Sequence, residues 1–185
     1  MAKVIYSMFA SVDGYVASAD GGLDWLFPDE ELHGFVNEQS RAITASLYGR
    51  RLFELMADYW PTVQDTPQTP RVEADFARFW KATEKIVFST TLGSHEWADR
   101  VIGEDAPGAV ARLKEELPGE VDVGGPTLAA ELIRHGLVDE YRQFVFPVVL
   151  GDGLPFFPGL NRPEKLRLVE SRTFDSGVVY LRYAI

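Results

Sequence analysis

Apolar positions along this chain recur in two rhythms, and each change of rhythm marks a change from strand to helix. Lys3 to Phe9 is a β-branched and aromatic run that predicts a strand, and it stops at Ser11-Val12-Asp13-Gly14, a turn sequence. A second apolar run, Tyr15 to Ala17, ends at Asp20-Gly21-Gly22. Ala10 to Phe27 therefore reads as a long, irregular loop, a feature compact domains seldom keep without a function. Pro28-Asp29-Glu30-Glu31 predicts a helix start, with proline early and carboxylates facing the positive end of the dipole. Leu32, Phe35 and Val36 supply that helix's buried stripe.

Ala42 to Leu47 predicts a strand, Leu52 to Met56 a short helix, and prolines 61, 67 and 70 a loop. Ala74 to Thr83 reads as helix, and Lys85 to Phe88 as a buried strand ending at Ser89-Thr90-Thr91. Asp105 is placed to cap a helix whose face carries Val110, Leu113 and Leu117. Val121 and Val123 form a brief strand cut by Gly124-Gly125, and Pro126 opens a helix that Gly136 closes. Tyr141 to Leu150 is apolar on both faces and reads as a central strand with a bulge at Pro147. Arg167 to Phe174 and Val178 to Ala184 predict an antiparallel hairpin around Asp175-Ser176-Gly177. Strands alternating with helices before a terminal hairpin predict an α/β fold: one mixed sheet flanked by helices, in a single domain over residues 1–185.

Composition narrows the function. The chain has no cysteine, which removes disulfides, thiolate metal sites and thiol nucleophiles. His33, His95 and His135 lack metal-ligand spacing, and there is no G-x-S-x-G elbow, so no metal site is expected. A net charge of −10 opposes nucleic acid and anionic membrane, leaving a small molecule as the expected partner. No run approaches the roughly 18 apolar residues of a membrane span. The first ten residues read as a strand rather than a leader, so a cytoplasmic location is expected.

Three features at strand ends are candidate anion sites. Gly124-Gly125 before a helix lets backbone amides approach a phosphate, with Thr127 adding a hydroxyl; the same residues also suit a plain tight turn. Gly49-Arg50-Arg51 offers guanidinium groups, or a solvated surface pair. Ser89-Thr90-Thr91 stands at the ligand side of a parallel strand, or forms a hydroxyl-rich turn. Together they favour a phosphate-bearing ligand. Asp13, Asp20, Asp24, Asp29 and Glu30 are the acid–base candidates, and Trp25 is either a pocket wall or a packing anchor.

Ser11-Val12-Asp13-Gly14-Tyr15-Val16-Ala17, Gly49-Arg50-Arg51-Leu52-Phe53-Glu54, Ser89-Thr90-Thr91-Leu92 and Gly124-Gly125-Pro126-Thr127-Leu128 occur in the order seen in the dihydrofolate reductase-like superfamily. The chain most closely resembles the reductase domain of bifunctional riboflavin biosynthesis proteins and its stand-alone bacterial relatives. The most specific stretch runs from Gly124 through Gly136–Glu140 to Phe146–Gly153.

The resemblance implies NADPH as cofactor, and often a homodimer. Carried over by position, Gly49, Arg50 and Arg51 with Ser89 and Thr90 would hold the adenosine-side phosphates. Gly124, Gly125, Thr127 and Leu128 would take the pyrophosphate, and the loop from Phe9 and Ala10 to Val16 would border the nicotinamide. Trp25 and a carboxylate, Glu30 or Asp29, would face the substrate: a pterin, an aminopyrimidine ribosyl phosphate or another carbonyl compound. The resemblance thus implies an NADPH-dependent reductase. Leu52 stands where related proteins commonly have threonine, removing one phosphate-facing hydroxyl and leaving a non-catalytic nucleotide-binding or interaction protein as the alternative. The sequence holds no counterpart of the riboflavin enzyme's deaminase half.

Overall fold

Strands that are apolar on both faces need a layer of helices on each side. The computed structural model, which describes residues 1–160 and 163–185, has that build. In chain order the elements are β1 (Lys3–Ser11), β2 (Tyr15–Ser18), α1 (Glu30–Ser40), β3 (Ile43–Gly49), α2 (Arg50–Tyr59), a 3-10 turn (Trp60–Thr62), α3 (Arg71–Ala82) and β4 (Glu84–Phe88). Then come β5 (Arg100–Ile102), α4 (Ala106–Glu116), β6 (Glu120–Gly124), α5 (Pro126–Arg134), β7 (Glu140–Phe146), β8 (Gly153–Pro155), β9 (Arg167–Thr173) and β10 (Val179–Ala184).

Among the described residues, eight strands form one sheet in the order β5-β4-β3-β6-β1-β7-β10-β9. The pairs from β5 to β7 are parallel, and β10 runs antiparallel to both β7 and β9. β2 and β8 form a separate antiparallel ribbon. Side-chain alternation splits the core into two layers. Val4, Tyr6, Leu47, Ile86, Val121 and Val123 face Val110, Leu113, Leu128, Leu132 and Ile133 of α4 and α5. The opposite faces of β7 and β10 pack Phe144, Phe146 and Tyr180 under Leu32 and Phe35 of α1. Those of β3 and β4 pack Tyr48 and Val87 under Phe53 of α2 and Trp80 of α3.

The chain leaves β3 toward β4, on one side, and leaves β6 toward β7, on the other. Right-handed crossovers then put α2 and α5 on opposite faces, so the strand order reverses between β3 and β6. In open α/β sheets, ligands bind in the crevice beyond the carboxyl ends of strands at such a reversal.

Several expectations need correcting. The helix expected from Leu52 to Met56 spans Arg50 to Tyr59, so Arg50 and Arg51 form its first turn. Pro147 ends β7 instead of bulging it, because proline cannot donate to the ladder. The irregular stretch from Ala10 to Phe27 contains β2, stabilised by its pairing with β8. The short strands β5 and β8 carry too few residues to show an alternation in sequence.

Candidate functional site

The starts of α2 and α5 meet where β3 and β6 end. A Cβ placed on Gly125 would lie 3.8 Å from Gly49 N and 3.9 Å from Gly49 Cα, so the two corners abut. Gly125 has φ +104°, a conformation side chains rarely adopt. At Gly124 a Cβ would stand 2.7 Å from Tyr48 Cδ1 and 2.9 Å from Leu52 Cδ2, leaving room for hydrogen alone. Leu52, the residue in place of the expected threonine, packs into this corner.

Neither α2 nor α5 has a side-chain cap. Their first-turn amides are donors left for a ligand or water, at the positive ends of two helix dipoles. α1 and α4 differ: Asp29 Oδ1 accepts from Leu32 N at 2.8 Å, and Asp105 Oδ1 from Gly108 N at 3.0 Å. Of the flanking groups, Arg51, Thr90 and Thr127 are exposed. Arg50 is drawn back along its helix to Glu54, with Nη1 3.0 and 3.1 Å from the two carboxylate oxygens. The Ser89 hydroxyl accepts from Leu92 N at 2.9 Å and Thr91 N at 3.2 Å, making it part of a turn. Leu128 is buried in the core, so only its backbone belongs to the corner.

β1 pairs with β6 only from Lys3 to Tyr6 but with β7 from Ile5 to Ser11. Its edge toward β6 is therefore open beyond Tyr6, where Phe9 and Ala10 lie. Ala10 and Val16 are buried, and Phe9 packs against Phe144 and Phe146, so this segment offers backbone rather than side chains. Asp13 anchors the following turn: its carboxylate accepts from Ser11 Oγ (2.7 Å), Gly151 N (2.7 Å) and Leu150 N (3.1 Å). These bonds, Ser11's foremost, hold its pKa below the usual carboxylate range.

On the substrate side, Trp25 is half-buried with its ring edge-on to Phe146, and its indole N–H is buried without an acceptor. Asp29 is committed to its cap. Glu30 stands opposite Leu32 and Phe35 at 100° per residue, so it lies on the outer face of α1. There it borders an open groove of about 360 Å³ with Glu31, Glu38, Arg41 and Arg172. The structure brings Gly49, Gly124, Gly125, Thr127 and the α2 start together; it does not bring Glu30 to them.

The model of the RibD C-terminal domain matches residues 2–180. The chain belongs to this family. Among its relatives, protein YyaP of Bacillus subtilis, itself uncharacterized, is 33% identical over 184 residues, covering 98% of this chain and 94% of that one. The fold is shared with a Shewanella sp. PV-4 protein named for riboflavin biosynthesis (TM-score 0.76, 22% identity, 100% and 98% of the two chains). It is also shared with a dihydrofolate reductase from Enterococcus faecalis solved with NADP(H) (TM-score 0.63, 15% identity, 98% and 95%).

Within this RibD C-terminal domain two groups near the corner escaped the sequence reading. Asp122, two residues before Gly124, is pushed up to about 6 by burial, offset in part by a hydrogen bond with Ser46. The second is an aromatic wall. His33 of α1 lies 6.2 Å from Trp60 and 5.9 Å from Phe76, and Tyr59 lies 4.9 Å from Trp60. Its signal was in the sequence: Leu52, Leu55, Met56 and Tyr59 keep helical spacing beyond the predicted end at Met56.

Proposed function

We propose that this chain is an NADPH-dependent reductase of a small pterin-, pyrimidine- or carbonyl-type substrate, working in the cytoplasm as a homodimer. The abutting, uncapped starts of α2 and α5 carry the reading. They offer backbone donors and two dipole ends to a pyrophosphate, at a corner where Gly124 leaves no room for a side chain and Gly125 has a positive φ. Arg51, exposed on the first turn of α2, adds positive charge at the adenosine end, which favours NADPH over NADH. The nicotinamide supplies the hydride when bound, so the protein's part is positioning and exclusion of water. The open edge of β1 at Phe9 and Ala10 presents backbone to its ring. Trp25 offers its free indole N–H to the substrate. Asp29 caps α1 and Glu30 faces solvent on the far side of that helix, so neither carboxylate is set toward the substrate.

The dimer rests on β9, an edge strand with Leu168 and Val169 exposed beside unpaired backbone, a surface a second copy would cover. The binding-only alternative rests on Leu52, which replaces a hydroxyl at the corner. Calorimetry should give saturable heat with NADPH and a weaker response with NADH. NADPH oxidation across a pterin, pyrimidine and carbonyl panel then separates the two readings. Absence of NADPH binding at millimolar concentration would falsify the reductase reading and leave an interaction protein on the same scaffold.

A further inference from the structure

Between Lys3 and Arg41 the chain contains no lysine and no arginine, yet seven carboxylates fall there, from Asp13 to Glu38. That span builds the β1–β2 turn, the loop through Trp25 and Phe27, and α1. Residues 52–70, which form α2 beyond its first two residues, the 3-10 turn and the loop after it, are also free of lysine and arginine and add Glu54, Asp58 and Asp65. The β7–β8 connection, residues 147–152, contributes Asp152 and no cation.

Most cations arriving from other elements are already engaged; exposed Arg51 goes to the cofactor in the reductase reading, and Arg41 borders the outer groove beside Glu30. Arg50 is held by Glu54. Arg172 bonds Glu31 at 2.8 Å and lies over the rings of Phe35 and Phe174. On α3, Arg78 pairs with Asp75 and Asp65, and Lys81 donates to Val63 O at 3.0 Å. His33 is no substitute, because burial lowers its pKa, only partly countered by Glu73, and leaves the ring neutral near neutral pH.

The same walls expose apolar surface. The α2 stripe starts with Leu52 in the glycine corner and continues through Leu55 and Tyr59, 55% and 49% exposed, to Trp60, which faces His33. Phe27, 75% exposed, precedes the Asp29 cap of α1 by two residues.

We propose that the substrate is a flat, apolar ring compound, neutral or positively charged, and that phosphorylated substrates such as an aminopyrimidine ribosyl phosphate are rejected. This rests on the reductase reading, because the free helix-end amides are then taken by the cofactor. A phosphate dianion needs cations or free amides to replace its hydration. Here the walls built from residues 4–40, 52–70 and 147–152 offer it no lysine or arginine, and their carboxylates set a field of the wrong sign. A flat ring instead covers exposed apolar side chains such as Leu55 and Tyr59 and gains from leaving water.

The test titrates three probes into the full chain, with and without NADPH, following tryptophan fluorescence. They are 2,4-diamino-5-phenylpyrimidine, an aminopyrimidine riboside, and that riboside's 5′-phosphate. The first two should bind, and the phosphate at least ~10-fold more weakly than the riboside at low salt, with the gap shrinking as salt screens the carboxylates. Glu73 adjoins both His33 and Tyr59. Glu73→Arg should tighten the phosphate's binding at least ~5-fold and leave the riboside within about twofold. A phosphate that binds as tightly as the riboside overturns the proposal, and so does failure of all three probes. Loss of NADPH binding alone, with the probes still discriminated, sinks the reductase reading instead.

Discussion

α4 and α5 both begin where a parallel strand of the same sheet ends, yet they begin differently. Asp105 adopts a left-handed conformation (φ 48°) and turns its carboxylate onto the first turn of α4. Gly125 gives α5 no side chain, and Gly49 gives α2 none. A carboxylate cap completes a helix from within the protein, worth about 1 kcal/mol. Forgoing it at two abutting helices leaves donors and dipole charge for something from outside. In the proposed reading, the contrast favours anion binding at the β3–β6 reversal over the β5 end, although both are carboxyl ends of strands.

The harshest way to break the contrast is to fill the corner. Gly124→Val drives methyl groups into Tyr48 and Leu52, and overpacking of this kind costs about 1–3 kcal/mol. NADPH binding should vanish in calorimetry, and the midpoint of urea unfolding should fall.

Converting an open corner to a capped one separates binding from stability. Gly49 has φ −71°, and a Cβ there meets nothing nearer than 3.9 Å, so Gly49→Asp fits without strain. The new carboxylate should lower NADPH affinity more than ~10-fold while raising stability by roughly 0.5 kcal/mol. Equal affinity for wild type and variant would remove α2 from the site.

Asp122 sharpens the comparison from below, since it is a carboxylate on β6 that caps nothing. Burial raises its pKa from 3.8 to about 6, so the folded protein holds that proton more tightly than the unfolded chain does. Stability therefore falls as pH rises from about 4 to 6, and the whole loss is present above that window. Asp122→Asn should stabilise by about 3 kcal/mol near pH 8 and by almost nothing near pH 4, read from urea unfolding at both values. A pH-independent difference would show that its ionisation is not involved.

The mildest change removes the caps themselves. Asp29→Ala and Asp105→Ala should each lose about 1 kcal/mol and leave NADPH affinity unaltered. If Asp29→Ala also weakened substrate turnover tenfold with stability restored by a compensating change, Asp29 would act beyond its cap.

Particular residues show how far the candidate site was legible. Gly124-Gly125-Pro126 announced a strand-to-helix corner because glycine and proline restrict backbone locally, whatever surrounds them. The retreat of Arg50 to Glu54 was also legible, as an i,i+4 pair, but only for a helix that starts at Arg50 and not at Leu52. Glu30 illustrates a conflict between two signals. Resemblance to reductases aimed it at a substrate, while the stripe of Leu32 and Phe35 already set it on the outer face. Helical phase prevailed, because burying two apolar side chains outweighs the placement of one charge.

Local and periodic features of this protein were determined by the sequence alone: the order of its longer strands and helices, the helix-flanked sheet, the cap at Asp105, and the basic-free span from residue 4 to residue 40. The structure decided what depends on residues far apart in the chain. It brought Gly49 against Gly125, lodged Leu52 over Gly124, ended the β1–β6 pairing at Tyr6, and set His33 beside Trp60 and Phe76. The physical reason is range. Caps and stripes are set by neighbours within a few residues, whereas abutment at a strand-order reversal exists only after distant strands have paired.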